Sequence, residues 1–232
     1  MNQYTNSAYL EKNPTWDVED SPWKAANILK ILQRNQLCPQ RIAEVGCGAG
    51  EILYQLYLSL PDHCFFSGYE ISPQAILLCE RRRNERVQFF LGEMERATSA
   101  YPFDVLMALD VFEHVEDYLG FLKNLQDKAE YKIFHIPLDM SALSVMRVTP
   151  ILKARSKVGH LHYFSKETAM ATLTDCGYEI VDWFYTSGPD NRAPRLMSGR
   201  SAMGDGIKKI VYKRNQDLWV RLLGGSLMVL AK

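Results

Sequence analysis

This sequence has no net charge, no long apolar run and no paired-cysteine motif, and each absence removes a class of function. Lys and Arg number 27, and Asp and Glu number 27, in 232 residues. A nucleic-acid surface carries a basic excess, so no nucleic-acid partner is expected. The basic runs Arg81-Arg82-Arg83 and Lys208-Lys209 fall in helix-like patterns and read as solvated faces. No apolar run approaches the ~20 residues of a membrane span. The polar start, Met1-Asn-Gln-Tyr-Thr-Asn6, shows no signal peptide. The five cysteines are odd in number and never form C-x-x-C, which argues against a disulfide framework or a cysteine zinc site. Reduced thiols, and hence a cytoplasmic location, are expected. There is no repeat and no low-complexity linker.

What is present centres on Arg41-Ile-Ala-Glu-Val-Gly-Cys-Gly-Ala-Gly50. A short apolar strand carrying Glu44 breaks into glycines at 46, 48 and 50. A helical pattern follows, with Ile52, Leu53, Leu56, Tyr57 and Leu60 at steps of three and four. Glycine admits positive φ and close approach of a ligand to the backbone. A helix N-terminus adds uncancelled N–H donors. The dinucleotide fingerprint reads G-x-G-x-x-G, but Glu51 occupies the place of its third glycine and would repel a diphosphate. No Gly-Lys-Ser/Thr follows, so a P-loop is excluded.

Glu44-Val-Gly-Cys-Gly-Ala-Gly50 resembles the first motif of the class I S-adenosylmethionine-dependent methyltransferases. The resemblance implies a ligand with a sulfonium cation and no phosphate, which suits an acid-flanked glycine loop. Its specific motifs run over about residues 40–186. It implies a three-layer, seven-stranded, Rossmann-like α/β sheet, mostly parallel, with an antiparallel terminal strand. His63–Tyr69 reads as a second strand ending on Glu70, roughly 20 residues past the loop, where a carboxylate can accept from both ribose hydroxyls. Arg86–Leu91 is a third strand ending in Gly92-Glu93-Met94. By resemblance Glu93 stands where the family has Asp against the adenine amino group, and Met94 would pack on the ring. Phe103–Leu109 leads into Asp110-Val-Phe-Glu-His-Val115, which resembles the family's motif after strand 4; Glu113 could instead cap or pair with the helix expected over 116–125. The cofactor set is thus Glu44, Gly46, Cys47, Gly48, Gly50, Glu70, Ile71, Gly92, Glu93, Met94, Asp110 and Val111.

The rest of the chain supplies covers and candidate bases. Ser21-Pro22 reads as an N-cap and first helical residue, opening a helix over about 23–36 with Ala25, Ile28, Leu29 and Leu32 on one stripe. Trp16 and Tyr9, before it, lack core partners in sequence and could close over the cofactor. Tyr131–Ile136 is a fifth strand closed by Pro137, and its His135 reads as a satisfied core histidine. Gly159-His-Leu-His-Tyr-Phe-Ser165 resembles the segment that lines the active-site mouth in small-molecule methyltransferases. Its His160 and His162 could begin a metal site, but no third ligand stands at a suggestive spacing, and no metal is assigned. Tyr178–Tyr185 and Ser226–Ala231 are the last strands, with a helix over 207–223 between them.

The chain therefore reads as one methyltransferase domain over 1–232. An N-terminal cap (1–37) precedes a cofactor core (38–137) and an acceptor-side half (138–232) with lid insertions at about 138–164 and 187–224. Methyl transfer from S-adenosyl-L-methionine to a small-molecule oxygen, nitrogen or carbon is expected. His114 is the first candidate base, His160 the second, and His162 is also available. The alternatives are an NAD-dependent oxidoreductase and a non-catalytic nucleoside-binding protein.

Overall fold

Arg41–Val45 (β1) sits at the middle of a seven-stranded sheet, buried from Ile42 onward. The computed structural model describes residues 13–94, 103–187 and 212–232. Its other strands are Phe65–Glu70 (β2), Val87–Leu91 (β3), Phe103–Leu109 (β4), Ala129–Leu138 (β5), Ile180–Tyr185 (β6) and Gly225–Ala231 (β7). Their order is β3-β2-β1-β4-β5-β7-β6. The pairings from β3 to β5 are parallel, and β7 lies antiparallel between β5 and β6. Chain order reverses between β1 and β4, and such a switch point opens a crevice at the strands' carboxyl ends.

The helices cover both faces. Ser21–Arg34 (α1) buries Ala25, Ile28, Ile31 and Leu32; Leu29 is only half-buried, so the stripe is rotated slightly from the expected one. Its N-cap is Asp20 rather than Ser21, with Pro22 still in the first turn, where no N–H is required. Glu51–Ser59 (α2) buries Ile52, Leu53 and Leu56 on the same side. Pro73–Cys79 (α3) is capped by the Ser72 hydroxyl, which accepts from Ala75 N–H. Tyr118–Asn124 (α4) and Lys166–Asp175 (α7) pack on the opposite face, around Phe134, Tyr178 and Val229. Burial of the large apolar side chains on both faces, at ~25 cal/mol per Å² of apolar area, is the main favourable term.

Three elements differ from the sequence reading. β5 does not stop at Pro137 but runs to Leu138, with Pro137 opposite Ser226 on β7. Pairing to β4 ends at His135, so the missing proline N–H breaks no bond on that side. The expected insertion at 138–164 contains two helices, Ala142–Arg147 (α5) and Thr149–Lys157 (α6). The last expected helix is interrupted at Asn215: residues 212–214 are helical, and Gln216–Leu223 (α8) starts anew, capped by the Asn215 side chain, which accepts from Leu218 N–H. Residues 207–211 of that expected helix, the bulk of the 187–206 stretch, the link 96–102 and Tyr9 lie outside the described residues.

Candidate active site

The carboxyl ends of β1, β2, β3, β4 and β5 open into a cavity of about 2130 Å³. The glycine loop forms one wall. Tyr69 carbonyl accepts from Gly46 N–H at 2.8 Å and from Cys47 N–H at 3.2 Å, fixing the loop to β2. The Cys79 thiol donates to Gly48 carbonyl at 3.1 Å, and Arg82 donates to Ala49 carbonyl at 3.1 Å. Gly48 holds φ +55°, and a Cβ there would lie 2.6 Å from the Trp16 ring. The indole of Trp16 therefore sits on the loop and lines the cavity, as the expected cover would. Gly50 has another function. It caps α2 at φ 75° and faces Phe89, with a Cβ position 2.4 Å from that ring. It is a packing glycine outside the cavity wall, whereas Gly46, Cys47 and Gly48 line it.

Two carboxylates flank this loop. Glu70 is buried, and its oxygens accept Gly48 N–H and Ser72 N–H, each at 2.9 Å. Burial pushes its carboxyl up, opposed by these N–H bonds. Glu44 is 1% exposed, and its Oε2 has no hydrogen-bond partner. Burial pushes Glu44 up to about 8, with Lys24 pulling down and Glu70 pushing further up. Hydrogen bonding with Cys79 and burial keep Cys47 a neutral thiol, well above the usual range.

Ile71, Gly92, Glu93 and Val111 complete this half of the cavity. Met94 does not join them. It is 1% exposed within the core that also holds Ala43, Val45 and Phe134. A glycine and a glutamate at the end of β3 present themselves to solvent, and the apolar residue after them turns inward.

Asp110 follows β4 with φ +56°, a region that Asp tolerates better than most residues. Lys24 of α1 donates to its Oδ2 at 2.7 Å, and His135 Nδ1 lies 2.6 Å from Oδ1. Burial raises the Asp110 carboxyl, but His135 and Lys24 together hold it well below the carboxylate range. His135 is buried, with Nε2 2.8 Å from Thr186 Oγ1. Lys24 was not visible as a site residue in sequence, since it sits beside the apolar stripe of α1 like any solvated lysine.

Along and behind the opposite wall of the cavity lie Glu113, His114 and His160. Phe112–His114 forms a short 3-10 turn. Glu113 within it is 0% exposed, and neither carboxylate oxygen has a hydrogen-bond partner. Burial pushes it well above the carboxylate range, helped by Asp110. His114 and His160 both line the cavity, with ring centroids 4.8 Å apart. Burial, then His160, bring His114 down to about 4. His160 Nδ1 lies 2.5 Å from Asp139 Oδ2. His162 is elsewhere: its Nε2 lies 2.9 Å from Val115 carbonyl and its ring meets Tyr118 at 4.3 Å. His160 and His162 thus face different partners and share no site.

Residues 43–129 match the family described as "Methyltransferase domain". Over that stretch the chain is similar to methyltransferase domains, and its seven-stranded sheet has the Rossmann-like order of methyltransferase structures. A curated relative, the mitochondrial ubiquinone biosynthesis O-methyltransferase of Schizosaccharomyces pombe, is 28% identical over 107 residues; the match covers 42% of this chain and 37% of that protein. Magnesium protoporphyrin IX methyltransferase from Synechocystis superposes with TM-score 0.65 at 14% identity, over 99% of this chain and 96% of that one. The [4+2]-cyclase SpnF superposes with TM-score 0.55 at 16% identity, over 83% and 74%. One methyltransferase fold thus spans proteins named for different reactions, and chemistry must be argued from the site. No described helix is long and apolar enough to cross a membrane.

Proposed function

We propose that the chain transfers a methyl group from S-adenosyl-L-methionine to an oxygen of a small-molecule acceptor. The observation that carries this is the pair of acids at the glycine loop. Glu70 is held by two backbone N–H groups with lone pairs to spare for the two hydroxyls of a ribose. Glu44 keeps a buried, unpartnered oxygen on the same cavity, which calls for a donor or a cation. A diphosphate would meet both acids, and Glu51, at the position that a dinucleotide loop gives to glycine, is committed to Arg82. That favours a nucleoside with a cationic arm over NAD.

In this reading Glu70 binds ribose, Gly92 and Glu93 border the adenine, and Cys47, Ile71 and Val111 form the apolar walls. Glu44 holds the ammonium of the amino-acid arm. Asp110 acts indirectly, fixing α1 through Lys24. When bound, the sulfonium supplies an electrophilic methyl group. The chain's task is to align an acceptor oxygen with it, exclude water and remove one proton. Trp16 excludes water from the loop side. His114 and His160 stand where the acceptor would enter. Oxygen is preferred because the curated relative is named an O-methyltransferase.

Titration calorimetry with S-adenosylmethionine, S-adenosylhomocysteine and NAD tests the reading. The first two are expected to bind and NAD is not. Glu70→Ala should cost about 1–3 kcal/mol of affinity for S-adenosylhomocysteine, by leaving hydroxyls unpaired. Binding of NAD alone, or no loss in the variant, overturns the assignment.

A further inference from the structure

We propose that Glu113, His114 and His160 bind one divalent transition-metal ion at the acceptor side of the cavity. Their ligand atoms all lie within 4.8 Å of one another. Glu113 Oε1 and His114 Nε2 are 3.8 Å apart. Metal bonds of about 2.0–2.2 Å place neighbouring ligand atoms roughly 3–4 Å apart. Occupation therefore requires side-chain movements of about an ångström or less.

Glu113 is the decisive residue. A carboxyl with no exposure and no hydrogen-bond partner on either oxygen is satisfied neither ionised nor protonated. An ionised carboxylate needs donors, and a protonated one needs an acceptor. Leaving such a group bare inside a protein is costly. A cation between Glu113 and the two imidazoles removes that cost in one step.

The histidines are prepared for it. His160 Nδ1 lies 2.5 Å from Asp139 Oδ2, and a proton held between them on Nδ1 leaves Nε2 with its lone pair. A ring nitrogen of His114 donates to the Gly159 carbonyl, so its other nitrogen also keeps a lone pair. Metal-ligating histidines are oriented in this way, by an oxygen acceptor on the far nitrogen. The two segments are stitched together by the backbone. Glu113 carbonyl accepts from Leu161 N–H at 2.8 Å and His162 N–H at 3.1 Å.

Two imidazoles and one carboxylate suit Zn²⁺, Mn²⁺, Co²⁺ or Fe²⁺ more than Ca²⁺, and leave coordination positions open to the cavity. Metal binding stands on this geometry alone; its catalytic role rests on the methyl-transfer reading. An acceptor hydroxyl on an open position loses its proton to solvent more readily. Its oxygen lone pair then forms the new O–C bond while the S–C bond breaks, with that electron pair staying on sulfur. Nothing is oxidised or reduced.

The test is Co²⁺ titration of the chelator-treated full chain, read by visible ligand-field absorption, beside calorimetry with S-adenosylhomocysteine. One Co²⁺ per chain is expected, displaced by Zn²⁺. Glu113→Gln should abolish the bands, and Asp139→Asn should weaken Co²⁺ binding about 10–100-fold. His160→Ala gives the same readout as Glu113→Gln should that variant fail to fold. Glu70→Ala should leave Co²⁺ binding unchanged while weakening S-adenosylhomocysteine. No bands in protein that still binds S-adenosylhomocysteine, or bands that survive both Glu113→Gln and His160→Ala, overturn the metal site. Normal bands without S-adenosylhomocysteine binding would overturn the methyl-transfer reading and leave the metal site standing.

Discussion

With the ammonium of the amino-acid arm placed against Glu44 as proposed, affinity for the cofactor should depend on pH, and the direction follows from the burial of Glu44. In the free protein its carboxyl lies at about 8, raised mainly by desolvation. At pH 7 it is then roughly nine-tenths protonated. A ligand ammonium against its bare oxygen favours the ionised form, so binding at pH 7 should release close to one proton. Affinity for S-adenosylhomocysteine should rise about tenfold from pH 6 to pH 7 and level off above pH 8. The product is the better probe, because it keeps the amino-acid arm without the sulfonium. Titration calorimetry in two buffers of different ionisation enthalpy reads the proton directly. Glu44→Gln isolates the residue from Glu70, whose carboxyl is also raised, and should flatten the profile. The same group acts on stability with a fixed sign. Its folded value lies above the unfolded 4.5, so its stability contribution is complete below 4.5 and is lost as pH rises toward 8. The loss in the ligand-free protein is on the order of 5 kcal/mol at most, and ligand should restore it. An affinity that stays flat between pH 6 and 8 with no proton released would refute the placement of Glu44 against a cation.

Two further perturbations separate ligand contacts from packing. Gly48→Ala drives a methyl into Trp16 on a positive-φ backbone and should weaken S-adenosylhomocysteine binding at least tenfold; Gly50→Ala meets Phe89 instead and should lower thermal stability by about 1–3 kcal/mol while the folded fraction binds normally. Thr186→Val removes the partner of His135 Nε2 and should cost about 1–3 kcal/mol by leaving a buried polar atom unpaired, measured by urea denaturation.

The fold was legible because its signals are local. Alternation and apolar runs marked all seven strands, and the glycine loop followed by an apolar period of three and four marked the switch between β1 and α2. The residues that border the loop side of the cavity were largely legible too, since Glu44, Gly48 and Glu70 stand at or just past strand ends, which topology brings together at one edge of a parallel sheet. Met94 and Gly50 lie outside the cavity wall for a common reason. Sequence position shows that a residue is near a strand end, not which way its Cβ points, and both turn toward the core. The acceptor side was less legible because its contacts are long-range. Spacing made His162 the natural companion of His160. The turn at Phe112–His114 instead brings in Glu113 and His114 from far upstream, and only backbone pairing of Glu113 with Leu161 and His162 reveals it. Lys24 carried no signal at all, because a lysine that folds inward looks in sequence like one that faces water.

The position of Lys24 matters because it ends a polar chain, buried from His135 onward, that crosses the sheet. Lys24 on α1 meets Asp110 after β4, Asp110 meets His135 on β5, His135 meets Thr186 after β6, and Thr186 meets Ser226 on β7 at 2.9 Å. Each member satisfies the next, so the chain tolerates burial that no member would tolerate alone. Asp110 Oδ2 accepts from Lys24, and the two ring nitrogens of His135 bridge Asp110 Oδ1 and the Thr186 hydroxyl. The sequence marked His135 as a satisfied core histidine, and the structure bears that out while adding a consequence. Asp110 is held in a left-handed backbone by partners on two different elements, and the next residues in the chain are Val111, Glu113 and His114. Val111, Glu113 and His114 are therefore positioned beside one anchor, which ties the N-terminal helix to the cavity at the end of β4.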